Sequence, residues 1–60
     1  MHTYTVRLTA RTYDPVKESW FICSSSVKIR ARSPKGAIRQ GLKLVTTMHP
    51  DFEEHEATIQ

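Results

Sequence analysis

Between residues 2 and 12 the chain alternates without a break. His2, Tyr4, Val6, Leu8 and Ala10 interleave with Thr3, Thr5, Arg7, Thr9 and Arg11. Successive side chains of a strand point to opposite faces, so a strict period of two in β-forming residues predicts a strand with one buried and one open face. Asp14 and Pro15 then bring turn chemistry, and the stretch DPVKES reads as a loop between two antiparallel strands. The second strand is expected over about Ser19 to Ala31.

That second segment, SWFICSSSVKIRA, holds two competing apolar sets. Strict alternation turns Phe21, Cys23, Val27, Ile29 and Ala31 inward and leaves Trp20, Ile22, Lys28 and Arg30 outside. Pairing Tyr13 with Trp20 sets Ala10 opposite Cys23, Val6 opposite Val27 and Tyr4 opposite Ile29, a consistent buried face on which Ser25 is the only polar member. The alternative is a β-bulge in the triple serine, which would turn Trp20 and Ile22 inward and expose Phe21 and Cys23.

The helix signals follow. Ser33 is a natural N-cap and Pro34 suits the first helical position, where its missing N–H costs nothing. At 100° per residue Ala37, Ile38, Gly41, Leu42, Leu44, Val45 and Met48 share one broad stripe, with Lys35, Arg39 and Lys43 opposite. His49-Pro50 ends the helix, because proline disfavours helical geometry in the residue before it. A last strand over about Glu54 to Ile59 turns Ala57 and Ile59 inward and Glu54, Glu56 and Thr58 outward.

The order β-β-α-β, with a right-handed crossover, places the third strand beside the first. The expected fold is therefore α+β: a three-stranded antiparallel sheet of order 2-1-3 with one helix packed on one face, in a single domain covering residues 1 to 60. A domain this short buries only about 60% of its unfolded surface, so its core is modest and homodimerisation would help it. One cysteine, Cys23, leaves no intramolecular disulfide framework and no zinc-finger pattern, which suits a reducing compartment. No apolar run reaches the ~20 residues of a membrane span, and MHTYTVRLTAR alternates polar and apolar residues instead of building a signal-peptide h-region. The expectation is a cytoplasmic protein without a membrane contact.

Nine basic residues against six acidic give a net charge of +3 and a pI near 9.4, which favours polyanions without requiring them. Residues 27 to 43 hold six of the nine cations and no acid. In the expected fold this run divides. Lys28 and Arg30 belong to the bare sheet face, and Lys35, Arg39 and Lys43 to the outer surface of the helix.

The bare face is the first candidate site. Arg7, Arg11, Lys28 and Arg30 supply cations for phosphates, with Trp20 and Tyr13 for stacking on bases and several Ser and Thr hydroxyls between them. An ordinary solvated face is the competing account, since Glu54 and Glu56 are expected beside Arg11 and Thr9. The helix stripe has a phosphate-binding spacing too, although a charged outer face is the common solution for solubility. Association is the third candidate, with Trp20 and Ile22 as anchors if they lie outside.

Catalysis has little to stand on. Cys23 and Ser24 to Ser26 are nucleophile types, but none sits beside a His with an orienting acid, and no Gly-x-Ser-x-Gly elbow or phosphate loop occurs. His2, His49 and His55 lack metal-ligand spacing on one element. The reading implies no metal, no cofactor and no small-molecule substrate.

The segment VKIRARSPKGAIRQGL, a strand passing through Arg-Ala-Arg-Ser-Pro into a helix, resembles the strand-to-helix junction of small β-β-α-β proteins encoded by actinobacterial phages. The resemblance covers about a quarter of the chain. It implies a phage-encoded accessory or regulatory protein, and no binding residues carry over. The combined expectation is a non-catalytic binding or regulatory protein. It contacts nucleic acid through the basic sheet face or, alternatively, binds protein as a homodimer or as a ligand of a host protein.

Overall fold

A computed structural model describes all 60 residues. Strands β1 (His2–Asp14) and β2 (Ser19–Ala31) form a long hairpin, helix α1 (Pro34–Met48) crosses one face, and β3 (Glu54–Ile59) completes the sheet. The sheet order is β2-β1-β3, antiparallel throughout, as the sequence predicts.

The hairpin register is the one expected from unbroken alternation. Tyr13 faces Trp20, Ala10 faces Cys23, Val6 faces Val27 and Tyr4 faces Ile29, and the ladder runs from His2↔Ala31 to Asp14↔Ser19 without a bulge. The triple serine is therefore regular strand. At the turn, the Asp14 carboxylate accepts the backbone N–H groups of Val16 and Lys17 at 3.0 and 3.3 Å, which fixes the chain reversal. Glu18 completes it at φ 53°, a left-handed conformation that glycine would adopt more cheaply.

Helix α1 starts as its sequence dictates. The Ser33 hydroxyl accepts the Gly36 N–H at 3.1 Å, with Pro34 in the first turn. At the other end His49 donates its N–H to the Val45 carbonyl, and His55 Nε2 donates to the His49 carbonyl at 2.6 Å, tying β3 to the helix end.

The apolar stripe of the helix is narrower than its sequence suggests. Ala37, Gly41 and Val45 are buried and Ile38 packs at their margin, while Leu42, Leu44 and Met48 remain exposed. The reason is close approach. A Cβ on Gly41 would lie 3.0 Å from Val6 Cγ1, 3.1 Å from Ala57 Cβ and 3.1 Å from Leu8 Cδ2, so the helix backbone sits almost on the sheet and only its central line meets strands. The resulting core is thin: Val6, Leu8, Ala10, Ile29, Ala31, Ala37, Val45 and Ala57.

The strands outrun their cover. Thirteen residues of strand extend ~44 Å and a 15-residue helix ~22 Å, and the molecule is accordingly a rod of 45 × 18 × 14 Å. Its base is a two-layer sandwich, and its far end is a projecting hairpin tip. Phe21 and Cys23 point to the helix side as expected, but Phe21 is not core: it is 58% exposed and meets Phe52 edge to face, ring centres 6.0 Å apart. Cys23 is half-buried. Ile59 also faces inward yet stays partly exposed at the end of the short outer strand.

Candidate nucleic-acid interface

The face of the sheet opposite the helix carries no covering element. Pairing register places the side chains on it in rows: Thr3 with Arg30, Thr5 with Lys28, Arg7 with Ser26 and Thr58, Thr9 with Ser24 and Glu56, Arg11 with Ile22 and Glu54, and Tyr13 with Trp20. All six residues singled out in the sequence, Arg7, Arg11, Lys28, Arg30, Trp20 and Tyr13, thus share one surface. They do not form one patch.

The rows divide it. Arg7, Lys28 and Arg30 occupy the three rows nearest the base, among the hydroxyls of Thr3, Thr5 and Ser26 and with no acidic side chain in those rows. Arg11, four residues further along β1, forms a salt bridge with Glu54 of β3. Its guanidinium is consequently committed, as the expected neighbourhood of Glu54 and Glu56 implied. Arg11, Glu54 and Trp20 bound a shallow depression at this level. Beyond it Tyr13 and Trp20 meet edge to face, ring centres 5.5 Å apart.

Trp20 and Ile22 are 49% and 57% exposed. They lie on the open face, so both remain available to a partner. The alternative in which a bulge buries them does not occur.

The helix stripe is separate. Lys35, Arg39 and Lys43 are exposed on the outer side of α1, away from the buried line of Ala37, Gly41 and Val45. No flat surface reaches both sets.

One electrostatic property escaped the residue-by-residue reading. Residues 1 to 8, 25 to 48 and 57 to 60, which form the covered base, include seven of the nine cations and no acidic side chain. The hairpin tip, the loop into β3 and the first residues of β3 hold all six acids with Arg11 and Lys17. Charge is segregated along the long axis, and the cations of the base are divided between its two faces. The signal was present in the sequence, since the hairpin register folds the two acid-poor stretches onto each other, but it is visible only once the elements are laid end to end.

No group of three or more His, Cys, Asp or Glu side chains is arranged to hold a metal ion. No helix is long and apolar enough to cross a membrane. Comparison with protein-family models, with curated proteins and with solved structures gave no match to this chain.

Proposed function

We propose that the protein is a non-catalytic binding module that contacts the sugar-phosphate backbone of nucleic acid through the basal half of its bare sheet face. The observation that carries this reading is the juxtaposition of Arg7, Lys28 and Arg30 in three neighbouring rows without an acidic neighbour. Three cations on a flat, open surface suit phosphates, and the Thr3 and Thr5 hydroxyls donate to phosphate or sugar oxygens, whereas the Ser26 hydroxyl already donates to Gln60 Oε1 at 2.7 Å. Tyr13 and Trp20 lie three rows from Arg7, six residues or ~20 Å along the strands, within the span of a short extended single strand whose bases would stack there. Arg11 contributes less, because Glu54 already holds it.

The test is titration of labelled single- and double-stranded DNA and RNA. Binding at 50 mM salt should weaken steeply by 200 mM, since each neutralised phosphate releases counterions. Arg7→Ala, Lys28→Ala and Arg30→Ala should each flatten the salt slope by about one. Absence of binding to all four nucleic acids at low salt would overturn the reading.

A second reading is favoured by the exposure of Trp20 and Ile22 beside Tyr13. Here the tip is a protein-binding surface with Trp20 and Ile22 as anchors, for a second copy or for a host protein of the kind a phage accessory protein engages. An apolar contact of this sort changes little with salt, which separates the two readings.

A further inference from the structure

We propose that the outer edge of β2 pairs with the same edge of a second copy, antiparallel and centred on Ser25, to give a continuous six-stranded sheet. The proposal rests on the second reading and names its partner. Strand β2 is an edge strand 13 residues long, with no proline, glycine or bulge to spoil pairing. Such an edge exposes a row of unpaired backbone donors and acceptors.

Side-chain chemistry argues for the occupant. Ser25 is the midpoint of Ser19–Ala31, so a twofold axis there pairs every residue of the strand and keeps each side chain on its own face. On the open face this sets Trp20 of one copy opposite Arg30 of the other, a cation over an aromatic ring, and Ile22 opposite the aliphatic stem of Lys28. On the helix side it sets the exposed Phe21 opposite Ile29. Just beyond the paired strands Glu18 comes level with Arg32.

Charge favours the same orientation on the scale of the whole rod. Antiparallel pairing lays the acid-free base of each copy beside the acidic tip of the other, and a parallel arrangement would set like beside like. Space permits it as well. The helix line centred on Gly41 meets Val6, Leu8 and Ala57 of β1 and β3 and reaches β2 only at its base, where Ile29 and Ala31 are buried; further along β2, Phe21 and Ser25 are exposed and Cys23 is half-buried. The pairing also gives Trp20, Phe21 and Ile22 of each tip further cross-strand neighbours.

Sedimentation equilibrium of the intact chain should show a species of twice 6.9 kDa. Ile22→Lys places a second cation opposite Lys28 twice per dimer and should weaken association on the order of tenfold. Adding Lys28→Glu to that variant should restore it, which a merely misfolded chain would not do. Register is read by cysteine. In a Cys23→Ser background, Ser25→Cys should form an intersubunit disulfide under mild oxidation, while Val27→Cys, displaced from its own symmetry mate by four residues, should not. A strict monomer at millimolar concentration overturns the pairing and leaves a different protein as the occupant of the tip. A dimer weakened by Ile22→Lys without the Ser25 crosslink overturns the pairing and leaves the apolar surface standing. A dimer indifferent to Ile22→Lys overturns both.

Discussion

The base and the tip of the rod are built from the same two strands, yet they behave as different materials. At the base, β1 and β2 alternate under a helix, and Val6, Leu8, Ile29 and Ala31 are buried. At the tip the alternation continues with larger side chains, Tyr13, Trp20, Phe21 and Ile22, and every one of them is exposed. Alternation decides which face a residue occupies, and the reach of the helix decides whether that face is covered. Four large apolar side chains thus gather where no cover exists, which is an arrangement expected of a surface that receives a partner.

That contrast is broken most directly in the core. Leu8→Ala should cost about 3 kcal/mol through lost burial and a residual cavity, a large fraction of the stability of so small a domain, whereas Phe21→Ala on an uncovered site should cost under ~1 kcal/mol in the isolated chain. Urea unfolding followed by circular dichroism measures both. Equal losses would mean that the tip is packed in solution.

The two helix glycines sharpen the comparison within one element. Gly41→Ala inserts a methyl group against three side chains at 3.0 to 3.1 Å and should destabilise by roughly 1 kcal/mol, outweighing the gain in helix propensity. At Gly36 a Cβ would meet the Ser33 hydroxyl at 3.4 Å and Ala31 at 3.7 Å, ordinary contacts, so Gly36→Ala should stabilise by about 0.5 kcal/mol. Opposite signs in the same denaturation experiment are the expected outcome.

Smaller effects belong to the tip. Glu54→Gln removes the partner of Arg11 and should change stability by less than ~1 kcal/mol, because the pair is open to solvent. The freed Arg11 should raise nucleic-acid affinity measurably at 50 mM salt, which would extend the basal site toward the aromatics. Glu18→Gly relieves a positive φ and should stabilise by roughly 0.5 kcal/mol, seen as a small rise in the unfolding midpoint.

Much of the fold was legible because its signals are local. Asp14 ahead of the turn, Ser33-Pro34 at the helix start and the unbroken alternation each act within a few residues, and together they specify strand order and register. The candidate face was legible for the same reason: once register is set, Arg7, Arg11, Lys28, Arg30, Tyr13 and Trp20 must share it. Its partition was less visible. Arg11 and Glu54 are 43 residues apart in the chain, and their salt bridge exists only because β3 pairs with β1 at that level.

Phe21, Leu42 and Leu44 mark where local pattern stops being informative. Each satisfies a periodicity that assigns it inward, and each is exposed. Burial requires an opposing surface. Here the helix is too short to cover the tip and lies too close over Gly41 for its flanking leucines to reach the strands. The amino-acid order thus determines the elements, their faces and the cations they carry. Which apolar residues find a partner, and which are left to seek one outside the chain, depends on the length and closeness of one helix against two long strands.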